Sequence, residues 1–557
     1  MPQTTVANKW LYLFILLAVL INFSGLFVHL MNPDATLYAT IAKTMVLRND
    51  YVNIYARGTD WLDKPHFPFW VAALFFKVFG INTWAYKLSG IVFMLMTAVY
   101  TSLLAKELYT EKVAQWAVLI LLTSQHIILS DNDVRAEPYL TGLIIASVYH
   151  YYKSYTRNNY RDLLLACLFA GCAVMTKGVF ALITIGGAII GHLIITKQWK
   201  QLFHTRWLVA LVLVAIFILP EIYCLYVQFD AHPEKVVFDR QGVSGIKFFL
   251  WDSQFGRFFN TGPIKGSGDP FFFVHTTLWA FLPWSLLLFV AVFRFIKKGY
   301  KNVQSQEWIC ICGAMITFLM FSASKFQLPH YLNIVFPFFA ILTAQYICAI
   351  QGLKSIRAVR ITQIIVASLL LLVIIALQYF FRPDDFTWPV ILLEVILLSA
   401  LVILPKKAST IWYERIGYGT ILISLIVNVY LNLAFYPSLL KYQAGTEAAL
   451  WINKNNPQKL PVLQSGDDSN FAMEFYLDEP MTTINADGSG NIPKGQFIFY
   501  APDDIINGLK AKGWQMQTIQ SFKRYWITRL KPKFLNKATR DGELTEMKVV
   551  VVSRVGK

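Results

Sequence analysis

Apolar stretches long enough to cross a lipid bilayer recur along most of this chain. A membrane-spanning helix needs about 20 consecutive apolar residues, and the sequence predicts thirteen such spans. They lie near residues 10–30, 85–105, 113–130, 137–153, 162–176, 179–196, 206–226, 272–293, 305–323, 331–350, 359–380, 388–405 and 414–434. A soluble chain of 557 residues with 56% hydrophobic residues and a mean hydropathy of +0.48 would expose large apolar patches to water. The sequence therefore predicts a polytopic α-helical membrane protein.

Lysine and arginine are concentrated in alternate loops between these spans. By the positive-inside rule, such loops face the cytoplasm. The residues concerned are Lys106, Lys112, Lys153, Arg157, Arg161, Lys197, Lys200, Arg206, Arg294, Lys297, Lys298, Lys301, Lys354, Arg357, Arg360, Lys406, Lys407 and Arg415. The N-terminus is then cytoplasmic, and an odd number of spans places the C-terminus outside. Because orientation accounts for most of the net charge of +17, we expect no nucleic acid partner.

The remaining organisation follows from length and composition. The stretch 10–30 is too long for a signal-peptide core and predicts a retained first helix. Region 66–82 predicts an interfacial helix rather than a span. Residues 1–436 form the predicted membrane domain, with long outer loops at 31–84 and 227–271. Residues 437–557 have soluble composition and alternate β-like with helix-like runs, which predicts a small extracytoplasmic α/β domain. The six cysteines are expected to pack between helices.

Several charged residues that could take part in binding or catalysis lie on the predicted outer side. Asp34 follows the first span, at the predicted start of a helix, where a carboxylate commonly serves as a cap. Asp63 and Lys64 are neighbours in the same loop, and an exposed ion pair of this kind contributes little. Lys177 and Lys325 lie in outer turns, where the positive-inside rule predicts few cations. A bound phosphate would explain these lysines, although each could also extend to the membrane interface.

Two further stretches carry charges to the same side. Asp131, Asp133, Arg135 and Glu137 join spans three and four. Asp131-Asn132-Asp133 has the spacing of a DxD metal-binding motif, so a divalent ion is one interpretation. We favour a polar network at a membrane-embedded cavity, because ionisable groups at membrane depth are usually functional. The loop 227–271 contains Arg257 and is either a solvated loop or a mobile lid with a phosphate contact.

Seven short motifs, taken together and in order, resemble the GT-C glycosyltransferases. The resemblance is to the ArnT-like branch, the aminoarabinose transferases of lipid A, which are related to protein O-mannosyltransferases. It covers about residues 10–435. The motifs are Pro33-Asp34 with Tyr38, Asp63-Lys64-Pro65, Arg135 to Leu140, Met175-Thr176-Lys177-Gly178, Arg257-Phe258, Pro283-Trp284-Ser285, and Ser324-Lys325 followed by Leu328-Pro329-His330-Tyr331. The predicted spans and the outer C-terminal domain also match this architecture.

The resemblance implies an inverting transfer of a sugar from a polyprenyl-phosphate carrier, such as undecaprenyl phosphate, at the periplasmic face of a bacterial inner membrane. The acceptor would be a lipid A-type glycolipid or a hydroxyl of a protein or glycan. No cofactor is implied to be required. Asp34 would be the catalytic carboxylate, with Glu137 where the family usually has Asp. The donor phosphate would be contacted by Tyr38, Lys64, Arg257, Lys325 and Tyr331, and the substrate cavity lined by Asp63, Asp133, Arg135, Lys177 and His330.

The sequence also departs from the family pattern. Ala35 replaces an acidic residue, Leu37 an Arg, Asp63 a Glu and His66 a Pro, so sugar and acceptor stay open. Two alternatives follow from the residues alone. One is a transporter or flippase of an anionic lipid-linked substrate, which is disfavoured because the charges gather at one surface. The other makes the C-terminal domain the functional part, as a sensor or assembly module on a membrane anchor.

Overall fold

The fold is predominantly helical. The structure is a computed structural model that describes residues 4–262, 265–299, 306–466 and 471–555. The helices are α1 (Thr4–Phe23), α2 (Asp34–Arg48), α3 (Phe67–Phe79), α4 (Thr83–Leu108), α5 (Glu111–Leu122), α6 (Gln125–Asn132), α7 (Glu137–Thr156), α8 (Tyr160–Lys177), α9 (Ala181–Ile195), α10 (Trp199–Leu202), α11 (Arg206–Phe217), α12 (Leu219–Leu225), α13 (Gly245–Lys247), α14 (Ser253–Phe259), α15 (Phe272–Ala280), α16 (Ser285–Gly299), α17 (Ile309–Ala323), α18 (Phe336–Ala349), α19 (Leu353–Phe380), α20 (Trp388–Ala408), α21 (Trp412–Tyr430), α22 (Tyr436–Leu440), α23 (Ala444–Asn455), α24 (Phe471–Tyr476), α25 (Asp503–Ala511) and α26 (Pro532–Leu535).

Short helical turns of other types and a few strands complete the described chain. The π-helical turns are Tyr226–Asp230, Phe248–Asp252 and Leu431–Phe435, and the 3-10 turns are Pro329–Val335 and Arg540–Glu543. The strands are β1 (Tyr55–Ala56), β2 (Thr59–Asp60), β3 (Val236–Val237), β4 (Arg240–Gln241), β5 (Val462–Ser465), β6 (Met481–Ile484), β7 (Phe497–Pro502), β8 (Gln515–Arg524) and β9 (Thr545–Arg554).

Several helices are long and apolar enough to cross a membrane. By length and composition, the described residues contain six such helices, or seven if one bent pair counts as a span. They are Thr83–Leu108, Trp199–Asp230, Pro329–Ala349, Leu353–Phe380, Trp388–Ala408 and Trp412–Leu440, with the bent pair Glu111–Leu122 and Gln125–Asn132. Four apolar helices are shorter: Lys9–Phe23, Phe67–Phe79, Ala181–Ile195 and Ile309–Ala323. A multi-pass helical membrane protein is thus confirmed, while the count of thirteen spans stays a prediction.

Two of the predicted spans are interrupted, and residues at the two interruptions form hydrogen bonds with each other. The predicted span 113–130 bends by 54° between α5 and α6, and the predicted span 272–293 is divided into α15 and α16 around Pro283. The backbone N–H of Gln125 donates to the carbonyl of Leu282 at 2.9 Å. The indole N–H of Trp284 donates to Thr123 Oγ1 at 3.0 Å. Each interrupted helix therefore satisfies polar groups that the other exposes, which apolar surroundings require.

Helices α2 and α3 occupy the first long loop, predicted at 31–84. Helix α2 begins at Asp34, close to the start that the sequence indicates. Helix α3 covers most of the region predicted to be interfacial, and the ammonium of Lys77 lies 4.5 Å from the centre of the Tyr51 ring. The placement of α3 at the membrane interface stays a prediction.

The C-terminal region contains a five-stranded sheet with the order β6-β5-β7-β9-β8. Strand β5 pairs in parallel with β6 and β7, whereas β9 is antiparallel to β7 and β8. Apolar side chains of β7 and β9 lie in two buried clusters, one containing residues of α23 and the other residues of α25. The strands and helices agree with the predicted α/β character. The boundary at 437 and the extracytoplasmic location stay predictions.

Lys43 on α2 connects the first long loop to the C-terminal region. Its ammonium donates to the carbonyl oxygens of Glu474, Phe475 and Leu477 at 3.0, 2.9 and 2.6 Å. Glu474 and Phe475 lie at the end of α24, and Leu477 follows it. Carbonyl oxygens at a helix end have no backbone N–H donor within the helix, so the ammonium supplies one. Burial lowers the pKa of Lys43 from its ordinary value of 10.5 to about 8, although the nearby carboxylates Glu474 and Asp478 oppose the shift.

We predict that the partly buried Lys43 makes the unfolding free energy depend on pH. Between about pH 8 and 10.5 the unfolded chain holds a proton that the folded protein lacks, so this contribution to stability rises with pH. The difference between the two pKa values corresponds to at most about 3 kcal/mol. Thermal unfolding in detergent from pH 7 to 10.5 should show the difference in melting temperature, wild type minus Lys43→Met, increasing with pH.

The exposed Lys459 supplies the matched control for this experiment. The difference between wild type and Lys459→Met should not change in the same direction across the window. A wild-type minus Lys43→Met difference that stays constant from pH 8 to 10.5 contradicts the prediction.

Candidate functional site

Charged residues from distant parts of the chain converge between the helix ends. Asp34 is the first residue of α2, Glu137 the first of α7 and Lys177 the last of α8. Arg257 lies on α14, while His330 and Tyr331 belong to the 3-10 turn Pro329–Val335. The sequence predicts this convergence, because each of these residues falls in a loop or helix end on the same predicted side.

Arg135 bridges two carboxylates. Its Nη1 lies 2.5 Å from Asp34 Oδ2, and its Nη2 and Nε lie 2.7 and 2.9 Å from Asp133 Oδ2. Nη1 also approaches His330 Nδ1 at 3.3 Å. The Asp34 side chain is 38% exposed, compared with 14% for Asp133 and 17% for Arg135. Arg135 thus fixes the carboxylate of Asp34 while leaving part of it accessible.

A second buried ion pair joins Lys177 and Glu137. The ammonium of Lys177 donates to Glu137 Oε1, and it also lies 3.8 Å from the centre of the Tyr331 ring. Glu137 is almost fully buried, and its Oε1 lies 3.7 Å from His330 Nε2. His330 is therefore placed between the Arg135 network and the Glu137–Lys177 pair.

Asp63 is enclosed by two cations. Lys64 donates to its Oδ2 at 2.5 Å, and Arg257 donates to its Oδ1. Burial acts to raise the pKa of Asp63, but the positive charges of Lys64 and Arg257 outweigh it and hold the pKa below its ordinary range. The carboxylate is thus ionised at neutral pH. The Asp63–Lys64 pair, which the sequence alone would allow to be an exposed surface contact, is instead largely shielded from solvent, with 20% and 16% of the two side chains exposed.

Two cavities meet at the Glu137–Lys177 pair. A polar cavity of about 400 Å³ has Glu137 in its wall, and a narrow apolar cavity of about 60 Å³ has Lys177 in its wall. The polar cavity is also lined by Asp34, Asp133, Arg135, His330, His126, Ser130, Trp279 and Thr528. The apolar cavity is also lined by Arg257, Tyr331, Phe180, Phe258, Phe321 and Phe326. The arrangement offers space for a polar group beside Asp34 and a narrow apolar space, sufficient for part of a hydrocarbon chain, against the aromatic side chains.

Tyr38 and Lys325 differ in how the structure places them. Tyr38 is buried, with its ring centre 5.2 Å from that of Phe69. Burial, and then the negative charges of Asp34 and Glu137, raise the pKa of Tyr38 well above its ordinary value, so it stays a neutral donor. The side chain of Lys325 is exposed, and its backbone N–H donates to the carbonyl of Phe258 at 3.1 Å. The ammonium of Lys325 thus lies outside the ion-pair network.

The DxD-like stretch does not present its three side chains together. Asp133 binds Arg135, and Asn132 Nδ2 donates to Asn432 Oδ1 at 2.8 Å. Asp131 is fully buried and is not part of the polar cavity wall. Within the described ranges, no group of three or more His, Cys, Asp or Glu residues has the geometry to hold a metal ion.

Several uncharged residues of the site have no clear signal in the sequence. His126 and Trp279 lie side by side in the polar cavity, with ring centres 5.4 Å apart. Both belong to stretches that read as membrane spans. Gln254 donates to the carbonyl of Lys177 at 3.0 Å, beside Gly178, where the backbone has a φ of +97°. A Cβ on Gly178 would lie 2.2 Å from Gln254 Nε2, so glycine is required for this contact.

Comparison with known proteins agrees with these observations. Residues 63–223 match the family model described as dolichyl-phosphate-mannose-protein mannosyltransferase. The chain is 26% identical over 363 residues to an uncharacterized protein of Aquifex aeolicus, covering 64% of this chain and 67% of that protein. It is 26% identical over 343 residues to the undecaprenyl phosphate-alpha-4-amino-4-deoxy-L-arabinose arabinosyl transferase of Edwardsiella ictaluri, covering 60% of this chain and 58% of the relative.

Two solved structures share the whole fold. They are crystal structures of ArnT from Cupriavidus metallidurans, one bound to undecaprenyl phosphate and one in the apo state. The TM-scores are 0.75 and 0.72 at 17% sequence identity. The matches cover 98% and 99% of this chain and 98% of each ArnT chain. The GT-C fold is therefore confirmed along almost the full chain.

We predict that Glu137→Gln destabilises the protein through Lys177. The substitution leaves the ammonium of Lys177 buried without its carboxylate, which typically costs about 3–5 kcal/mol. The double variant Glu137→Gln/Lys177→Met removes both charges and should recover most of the loss. Thermal unfolding in detergent measures both effects, and a double variant no more stable than the single one contradicts the prediction.

Proposed function

We propose that this chain, an ArnT-like GT-C glycosyltransferase by sequence and fold, transfers a sugar from a polyprenyl-phosphate-linked donor to an acceptor at the periplasmic face of the bacterial inner membrane. The observation that carries the proposal is the polar cavity containing Asp34, which lies beside the apolar cavity lined by Lys177 and Arg257. The names of its relatives, which specify undecaprenyl phosphate and arabinosyl transfer, support this donor class. The acceptor is a lipid A-type glycolipid or a hydroxyl of a protein or glycan.

The proposed orientation follows the distribution of charged loops. With the N-terminus in the cytoplasm and the C-terminus in the periplasm, the converging residues face away from the cytoplasm. A lipid-linked donor is then needed, since the carrier keeps the sugar at the membrane surface where the enzyme acts. The C-terminal region, proposed as a domain over residues 437–557, lies on that same side.

The phosphate of the donor is proposed to lie among Lys64, Lys177 and Arg257. Lys177 and Arg257 line the apolar cavity, and Lys64 binds the same Asp63 carboxylate as Arg257. Lys177 is paired with Glu137. A phosphate has the same bidentate acceptor geometry as a carboxylate, so it can replace those partners. Tyr38 and Tyr331 would donate to phosphate oxygens, and Lys325 would approach from the exposed side. The lipid chain would lie along the apolar cavity.

Asp34 is proposed to act on the sugar side of the phosphate. When the bond from the anomeric carbon to the phosphate oxygen breaks, the sugar gains oxocarbenium character, which a nearby carboxylate stabilises. With a hydroxyl acceptor, Asp34 would also accept the proton as a general base. With a phosphate acceptor no base is needed, and Asp34 would orient the acceptor. Arg135 supports both roles by holding Asp34, and Glu137 is proposed to orient the cations on the phosphate side.

We predict that Asp34→Asn abolishes transfer without preventing folding. The amide keeps the shape of the carboxylate but neither stabilises positive charge nor accepts a proton, so turnover should fall by at least about 10³-fold. Turnover is measured with purified protein and a radiolabelled lipid-linked sugar.

Asp239 supplies the matched control for this substitution. It is an exposed aspartate in the second long outer loop, and it has a left-handed backbone that asparagine also adopts. Asp239→Asn should keep full turnover. Near wild-type transfer by Asp34→Asn would remove the catalytic assignment.

We predict that Lys64→Ala and Arg257→Ala each weaken use of the donor. Loss of one charge-assisted contact to phosphate should raise the donor KM by about 10-fold or more. Lys325→Ala should lower kcat more than it raises KM, because its exposed ammonium lies outside the ion-pair network and would reach the phosphate only as negative charge develops. Lys247, exposed in the same long loop as Arg257, gives the control variant Lys247→Ala. Unchanged donor KM in both Lys64→Ala and Arg257→Ala contradicts the phosphate assignment.

A further inference from the structure

The chain segment just before Asp34 is held by a glutamine that lies beyond the last predicted span. Gln443 is buried, and both ends of its side-chain amide contact this segment. Its Oε1 accepts from the backbone N–H of Asn32 at 2.8 Å, and its Nε2 donates to the carbonyl of Leu30 at 2.9 Å. Nε2 also donates to Thr446 Oγ1 at 2.7 Å, in the first turn of α23. Gln443 thereby ties the segment to the start of the C-terminal region.

Tyr476 makes a second attachment from the other side. Its hydroxyl accepts from the backbone N–H of Leu30 at 2.8 Å and lies 3.0 Å from Thr83 Oγ1 on α4. The Tyr476 ring also packs edge-on against His29, with ring centres 5.2 Å apart. Because Tyr476 is the last residue of α24, the C-terminal region contacts the segment at two separate points.

Asn32 transmits these contacts to the first turn of α2. Its Oδ1 accepts from the backbone N–H of Ala472 at 3.2 Å and from Thr36 Oγ1 at 2.5 Å. Asp34 lies between Asn32 and Thr36 in the chain. Its backbone is therefore fixed from the C-terminal side, while its carboxylate is fixed from the opposite side by Arg135.

We infer that Gln443 and Tyr476 are positioning residues that fix where Asp34 lies in the polar cavity. The C-terminal region is then part of the catalytic machinery. The inference rests on the proposed role of Asp34. A sugar centre reacts efficiently only when the catalytic group is placed within a fraction of an ångström, and a displacement of about 1 Å can reduce a rate by about 100-fold. Neither residue touches the cavity, so they act through the backbone of residues 30–36.

The same region also reaches the cavity directly. Thr528, in the stretch between β8 and α26, is part of the wall that contains Asp34 and Trp279. The C-terminal region thus holds the catalytic carboxylate at one place and borders the proposed sugar or acceptor space at another. A sensor or anchor-borne module would need neither contact.

The test compares two buried glutamines of the full-length protein. Gln443→Leu removes both hydrogen bonds to the segment, whereas Gln464→Leu removes a buried glutamine of β5. The amide of Gln464 donates to Thr483 Oγ1 at 3.4 Å, within the sheet. We expect Gln443→Leu to lower kcat by about 10- to 100-fold with the donor KM within about 2-fold of wild type. Gln464→Leu should leave both constants within about 2-fold.

Tyr476→Phe gives a second, milder variant in case Gln443→Leu does not fold. It keeps the ring and removes only the hydroxyl, and we expect kcat to fall by about 3- to 10-fold with KM unchanged. An unchanged kcat in Tyr476→Phe overturns the inference. An equal loss of kcat in Gln443→Leu and Gln464→Leu also overturns it, because a general loosening of the C-terminal region then explains both results. If Asp34→Asn is inactive while Gln443→Leu is fully active, the proposed function stands and only the positioning role fails.

Discussion

A guanidinium buried among helix ends must keep its hydrogen bonds, because an unpaired buried charge is costly. Arg135 meets this demand by binding Asp34 on one side and Asp133 on the other. Asp133 follows α6 and Asp34 begins α2, so the contact joins two parts of the chain that are about 100 residues apart. The polar cavity exists where these elements meet, and its shape depends on that junction. Asp133 directly follows α6, the second helix of the pair that bends by 54°.

The site separates charged from apolar surroundings within a short distance. Glu137 and Lys177 form the boundary, with polar side chains on the Glu137 side and phenylalanines on the Lys177 side. A lipid-linked sugar has the same division, with a polar sugar, a phosphate and a hydrocarbon chain in order. Each part of such a molecule therefore has a chemically matching surface in the site. A soluble sugar nucleotide has no hydrocarbon chain to place in the apolar cavity, which is one reason to favour the lipid carrier.

The charged residues of the site could be predicted from the sequence, and Tyr38, His330 and Tyr331 through the family resemblance, whereas the other uncharged residues could not. Asp34, Lys64 and Lys177 stand out because charge is rare beside apolar spans and because the alternating basic loops assign them to one side. Gln443 and Thr528 carry no such signal, since their roles arise only from contacts with residues hundreds of positions away. The helix breaks were also missed, because a hydropathy pattern does not register a hydrogen bond such as that from Gln125 to Leu282. Charge thus located the site, whereas tertiary contacts gave it its shape.

Charge balance explains why an exposed lysine belongs in the proposed mechanism. In the ion-pair network, the carboxylates of Asp34, Asp63, Asp133 and Glu137 are matched by Lys64, Arg135, Lys177 and Arg257. A sugar attached to a polyprenyl phosphate brings one negative charge, and the phosphate released after transfer carries close to two at neutral pH. Because these charges already balance, we propose that Lys325 supplies the additional positive charge. Its backbone N–H donates to the carbonyl of Phe258, next to Arg257, and its side chain is exposed. A cation that reaches the phosphate only as negative charge develops stabilises the transition state more than the bound donor, which is the requirement for catalysis.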